Sequence, residues 1–195
     1  MSSHSSTREN PDTYNRKSRR YRVHQVVLTA LLAAVIACLS QLSVPFPGGV
    51  PLTLQTVAVS FAGYFAGRAK GTAAVAVYLA LGCIGAPVFS GFTGGAEKFV
   101  SPTGGFLIGF LALSFMCGVG SFCKNAAASV LCGAAGLAVC HVSGIAVLSL
   151  VTGRTVQEAF LTGSLPYLLK DLISVAAARF LASFISVIYL RSKSQ

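Results

Sequence analysis

Apolar residues fall in long blocks along most of this chain, separated by short breaks that hold much of its proline, glycine and charge. Residues 1–22 are the exception: polar, rich in Ser, Asn and Arg, without apolar periodicity, and expected to be a disordered tail. The first block, 23–44, is long enough to cross about 30 Å of hydrocarbon as a helix. A proline- and glycine-punctuated loop, Pro45 to Pro51, leads to blocks at 52–67 and 71–85, with Arg68 and Lys70 marking the turn between them. Each of these two is short for a full crossing. An irregular, uncapped stretch rich in Gly, Pro and Phe runs from Ala86 to Gly105, and a loop of that length is often a binding element. Blocks at 106–122 and 126–150 follow, divided by Lys124 and Asn125. Thr155-Val156-Gln157-Glu158 has capping-box spacing and predicts a short interfacial helix over 156–162. Pro166, tolerated in a first helical turn, opens a sixth span that runs towards the C-terminus. The pattern predicts an all-α membrane protein: a basic tail at 1–22, then one domain at 23–195 with six transmembrane helices and a long outer loop between the third and fourth.

Composition agrees. The chain is 54% hydrophobic and 10% charged, against about 25% charged in a soluble domain. The formal net charge of +10 would suggest nucleic acid in a soluble protein, but Arg16, Lys17, Arg19, Arg20 and Arg22 stand directly before the first span. Basic residues placed there orient a membrane protein and touch anionic lipid. With six spans the tail, Arg68, Lys70, Lys124, Arg191 and Lys193 fall on one side and only Lys98 and Arg154 on the other. Both termini are therefore expected in the cytoplasm, in a multi-pass protein of the cell membrane. The six cysteines form no CxxC pair and read as small hydrophobes, so neither a disulfide framework nor a metal site is expected.

The candidate chemistry sits in Leu165 to Phe180, where an apolar span carries Lys170, Asp171 and Arg179. An ionised side chain at mid-membrane costs about 2.5–3.5 kcal/mol even on the lenient insertion scales. Asp171 is the one carboxylate inside an apolar block, and helical spacing places Tyr167, Asp171 and Ser174 on one face. Such a face meets either a neighbouring helix, as a buried ion pair that fixes packing, or a ligand. The predicted topology brings Asp171 within one to two turns of the outer surface, near the Pro-rich and Gly-rich loops. Thr53, Gln55, Tyr78, Phe89, Lys98, His141, Lys170 and Asp171 are then the candidate lining of an outward-facing pocket. Its ligand would be small, with an N–H-bearing polar head, an apolar body and an anionic end. His141 fits a hydrogen bond to a neighbouring helix as well as it fits ligand contact. Ala30 and Ala34, echoed by Ala33 and Ala37, have the small-xxx-small spacing that lets another helix approach. No HExxH, GxSxG or Walker A motif is present, so no catalytic set is expected and transport energy would come from an ion gradient or another subunit. An intramembrane enzyme using Asp171 and His141 as an acid–base pair, or a helical scaffold without a ligand, are the competing readings.

Three ordered motifs, Val50-Pro51-Leu52-Thr53-Leu54-Gln55-Thr56, Tyr78 to Phe89 (Tyr-Leu-Ala-Leu-Gly-Cys-Ile-Gly-Ala-Pro-Val-Phe) and Ser101 to Phe110 (Ser-Pro-Thr-Gly-Gly-Phe-Leu-Ile-Gly-Phe), together with His141-Val142-Ser143-Gly144, resemble the BioY family. Its members are the biotin-specific substrate-binding (S) components of energy-coupling factor transporters. The resemblance runs from the first span to the last and implies six helices, high-affinity biotin binding near the outer face, and no cofactor. It also implies association with a transmembrane coupling subunit and two cytoplasmic ATPases, although some members are thought to work alone. Docking through the Ala-rich first helix is implied as well, which gives Ala30 and Ala34 a role. An S component for a different vitamin is the alternative within this class. One departure stands out: the family's last helix pairs an Asp with a Lys three residues later, whereas here Ser174 occupies that position. Lys170, about 100° away around the helix, is not expected to fill the same place, so the ligand's carboxylate falls to Lys170, to Lys98 or to neutral donors.

Overall fold

The computed structural model describes residues 11–45 and 50–193. The elements in chain order are α1 (Pro11–Gln41), β1 (Ser43–Val44), β2 (Leu52–Thr53), α2 (Gln55–Cys83), a 3-10 turn at Ala96–Val100, α3 (Gly104–Gly120), α4 (Ala126–Thr152), α5 (Val156–Gly163) and α6 (Leu165–Lys193). Residues 11–22, expected as part of a disordered tail, are helical and continuous with α1. Extending an existing helix needs no new nucleus, and Arg, Lys and Gln cost little in one. Residues 1–10 and 46–49, the first part of the expected tail and the middle of the Pro-rich loop, lie outside the described residues. Three of the described helices are long and apolar enough to cross a membrane: Arg19–Gln41, Ala126–Thr152 and Leu165–Ile188. Gly104–Gly120 is apolar but shorter.

α2 is one run of helical residues in name only. Gly67, at φ 79° and ψ 172°, interrupts it in a conformation that side-chain-bearing residues rarely adopt. In a continuous helix Gln55 and Tyr78 would lie about 35 Å apart at 1.5 Å per residue. Here Gln55 Nε2 donates to the Tyr78 hydroxyl at 2.6 Å, so the arm after Gly67 folds back along the arm before it. The blocks at 52–67 and 71–85 are these two arms, and Arg68 is exposed in the bend. The hydropathy pattern did not anticipate β1 and β2, a two-residue antiparallel pair joining Ser43 to Thr53 and Val44 to Leu52.

Local sequence signals bound α4 and start α5. The Asn125 carboxamide accepts from the Ala127 N–H at 2.9 Å to cap α4, and Gly153 closes α4 in the left-handed region. Thr155 and Glu158 make both halves of the capping box at α5. Hydrogen bonds from the Thr155 backbone and then its hydroxyl hold the exposed Glu158 carboxyl below its ordinary range.

The core lies where α2, α3 and α4 meet, closed on one side by α1 and on the other by α6. Large apolar side chains also face outwards, among them Val26, Leu31, Leu169, Ile173 and Phe180, as a lipid-facing surface requires. α3 and α4 approach through glycine. A Cβ added at Gly105 would stand 2.1 Å from the Ser143 carbonyl oxygen, and one at Gly109 would stand 2.6 Å from the Cys140 Cα. Backbone cannot step aside as a side-chain tip can. Gly105→Ala is therefore expected to separate α3 from α4 and destabilise the fold by about 1–3 kcal/mol. A lowered unfolding midpoint of the purified protein would show it, whereas an unchanged midpoint would mean that this contact does not set the helix spacing.

Candidate functional site

At the end of the bundle that carries β1, β2 and α5, the helices part around a cavity of about 320 Å³. That is at the lower edge of small-ligand sites. Its walls come from five places: Thr53, Gln55 and Thr56 where β2 turns into α2; Phe89, Ser90, Thr93 and Lys98 in the loop after α2; Phe106, Leu107 and Phe110 on α3; Leu137, Cys140 and His141 on α4; Tyr167, Lys170 and Asp171 on α6. Val50, Pro51, Gly163 and the segment 101–103 also line it.

Asp171 is only 7% exposed, and its surroundings are polar on the cavity side. Oδ2 lies 3.3 Å from His141 Nε2, and Oδ1 lies 2.5 Å from Lys170 Nζ. Oδ1 is thus buried against the Lys170 ammonium, and both carboxylate oxygens have a close nitrogen neighbour. Lys170 Nζ also donates to the Thr53 carbonyl at 2.9 Å. The 100° offset between adjacent helical residues does not keep Lys170 from Asp171. The Cα–Cβ vectors of such neighbours do diverge, but a four-carbon stem brings the ammonium back. Ser174, in the family's lysine position, turns its hydroxyl to the Lys170 carbonyl at 2.8 Å and takes no part in the lining.

His141 is held from both sides. Its Nδ1 lies 2.7 Å from the Ser164 hydroxyl, and its ring meets the Phe106 ring edge-on at 5.8 Å between centroids. A hydroxyl donating to Nδ1 leaves the ring proton on Nε2, facing the carboxylate. Ser164 precedes α6 at a position where serine usually caps the helix with its side chain. Here only its backbone carbonyl serves α6, accepting from the Tyr167 and Leu168 N–H groups, and the hydroxyl is diverted to the histidine. Sequence reasoning had no signal for that diversion. Tyr167 donates its hydroxyl to the Val50 carbonyl, tying α6 to the rim.

Of the other expected residues, Thr53, Gln55, Phe89 and Lys98 line the cavity. Tyr78 does not. It is fully buried behind the wall, where it accepts from Gln55 Nε2 and meets the Phe89 ring edge-on at 5.5 Å. The Gln55 carboxamide is thereby oriented, because its oxygen accepts from the Thr53 hydroxyl at 3.0 Å. The Lys98 backbone is fixed by Ser101, whose hydroxyl donates to the Lys98 carbonyl at 2.7 Å, and its ammonium pairs with no acid among the described residues. The cavity thus holds two ammonium groups against one carboxylate. Its apolar wall, Phe106, Leu107, Phe110 and Leu137, came from blocks that read only as core. Ala30 and Ala34 lie far from the cavity residues in sequence and are exposed on α1.

The pattern that defines the BioY family matches residues 11–191. A Thermotoga maritima protein named biotin transporter BioY is 36% identical over 161 residues, which cover 82% of this chain and 94% of that protein. A Pyrococcus horikoshii protein named probable biotin transporter BioY is 35% identical over 161 residues, covering 83% of this chain and 95% of that one. The solved structure of an S-component for biotin from an ECF-type ABC transporter superposes with a TM-score of 0.79 at 25% identity, covering 86% of this chain and 93% of the other.

Proposed function

The chain belongs to the BioY family, and on that premise we propose that its cavity captures biotin for uptake across the cytoplasmic membrane. The observation that carries this reading is Asp171. A carboxylate buried in an apolar helix and set in a cavity wall, with His141 and Lys170 beside it, is a strong acceptor with lone pairs left for a ligand's donor. A ureido N–H supplies that donor. The bicyclic body meets the rings of Phe89 and Phe106 together with Leu107 and Phe110. The valerate carboxylate balances the excess ammonium, and Lys98 is its anchor because Lys170 is already engaged with Asp171 and Thr53.

The two arms of α2 count as two crossings in this reading, giving six with α1, α3, α4 and α6 and placing both termini in the cytoplasm. Basic residues at the end opposite the cavity support it: Arg68 occupies the bend of α2, and Lys70 stacks over the ring of Tyr21 beside Arg19, Arg20 and Arg22. The cavity then faces outwards. The exposed Ala30 and Ala34 are the docking stripe for a transmembrane coupling subunit, which brings two cytoplasmic ATPases. The chain itself is a transport protein, not an enzyme.

Labelled-biotin uptake in a biotin-requiring host, with and without coupling subunits, tests both substrate and energy source. Uptake that unlabelled biotin abolishes and other vitamins leave intact is the expected result. Competition by another vitamin, or purified protein that retains no biotin, would overturn it.

A further inference from the structure

The cavity wall formed by residues 85–95 is gripped from outside by α1. This loop is a compact hairpin: Phe89 and Thr93 exchange backbone hydrogen bonds at 2.9 and 3.2 Å, and Gly91 and Phe92 both take positive φ. Its inner face is the Phe89 ring, 3% exposed and seated where a Cβ on Gly82 would fall 2.0 Å from it. Its outer face has no comparable apolar anchor, since Phe92 is 74% exposed. What holds that side is the last residue of α1. Gln41 Oε1 accepts from the Phe92 N–H at 2.8 Å, and Gln41 Nε2 donates to the Val88 carbonyl at 3.1 Å. One carboxamide thus satisfies one backbone donor and one backbone acceptor on either side of Phe89. The neighbouring Ser40 hydroxyl also donates to the Val88 carbonyl, at 2.5 Å. Gln41 itself does not line the cavity.

We propose that Gln41 is a positioning residue for the ligand: its carboxamide clasps the cavity loop to the end of α1 and so sets how long a bound molecule stays. The proposal rests on the reading of the cavity as the biotin site. The hairpin is held inside by the Phe89 ring on Gly82, at its base by the Gly95 N–H on the Gly82 carbonyl, and outside by Gln41 with Ser40, so it can swing outwards only if the inner or the outer hold is released. The ring is wedged between Tyr78 and Phe99, so the clasp is the one that can open without disturbing the core. α1 also carries the exposed Ala30 and Ala34, so Gln41 links the helix that bears them directly to the cavity wall.

The test uses the full chain in detergent or nanodiscs, comparing wild type with Gln41→Ala and Gln41→Glu. Gln41 is half-buried at a helix end, which makes both variants compatible with folding. Glutamate keeps the acceptor for the Phe92 N–H and loses the donor to Val88, so it should fall between the other two. Dissociation of labelled biotin is expected to quicken about tenfold in Gln41→Ala with a smaller change in association, since affinity differences between related complexes fall mostly on dissociation. Backbone amide exchange over 85–95 should rise in the ligand-free variants while exchange in α3 and α4 stays as in wild type. Dissociation within twofold of wild type in both variants, or unchanged exchange over 85–95, would overturn the clasp. Wild-type protein that binds no biotin would overturn the reading of the cavity instead, and the exchange comparison, which needs no ligand, would still decide the clasp.

Discussion

Asp171→Asn should raise the dissociation constant for biotin at least tenfold, about 1.4 kcal/mol, while the protein still folds. Asparagine keeps the shape of the side chain but exchanges an ionised oxygen for an amide. Hydrogen bonds to charged groups contribute about 1.5–3 kcal/mol, and the substitution removes that assistance from the ligand's N–H donors. It also turns an NH2 group or a weaker acceptor towards Lys170, whose ammonium stands 2.5 Å from Oδ1. Asp171→Ala should be worse on both counts. Removing one partner of a buried pair costs about 3–5 kcal/mol of stability, and the lower end applies here because the Lys170 side chain is 24% exposed. Combining Asp171→Asn with Lys170→Met separates the two effects. Without either charge the fold should recover much of its stability, yet biotin binding should stay weak. Wild-type affinity in Asp171→Asn would remove this carboxylate from the site.

Asp171 was legible because a lone acid in an apolar block is costly wherever it points, so the cost alone marks the residue. The long helices were legible for a related reason: apolar length, Asn125, Gly153 and the Thr155–Glu158 pair act locally and need no tertiary context. What escaped the sequence depends on contacts between distant residues. Tyr78 reads the same in an apolar block whether it faces a cavity or a neighbour, and only the reversal at Gly67 brings it to Gln55. Ser164 drew no notice in the sequence, and only the proximity of α4 to the start of α6 brings its hydroxyl to His141. Lys170 was legible as a candidate, but its contact with Asp171 was not, since the direction of a Cβ says little about where an ammonium four carbons further on comes to rest. Gln41 gives no signal at all, since a glutamine ending a helix is ordinary until a loop residue 51 positions later arrives beside it.

Lys98 and Lys170 should separate when the ligand's charge is varied together with the protein's. If Lys98 meets the carboxylate, Lys98→Gln weakens biotin binding roughly tenfold, yet leaves binding of the uncharged biotin amide close to its wild-type value. The expected loss is at the modest end of charge-assisted contacts because Lys98 is half-buried and water screens part of the attraction. Lys170→Met should behave differently. Its ammonium faces Asp171 and the Thr53 carbonyl, so the loss disturbs the polar head's acceptor and weakens acid and amide alike. Salt gives an independent check, since the Lys98-dependent part of the affinity should shrink as ionic strength rises while the Lys170-dependent part, formed inside the wall, should not. Equal losses for acid and amide in Lys98→Gln would take the carboxylate away from Lys98. A loss confined to the acid in Lys170→Met would give it to Lys170, and the serine at position 174 would then mark a lysine moved to the other side of its aspartate.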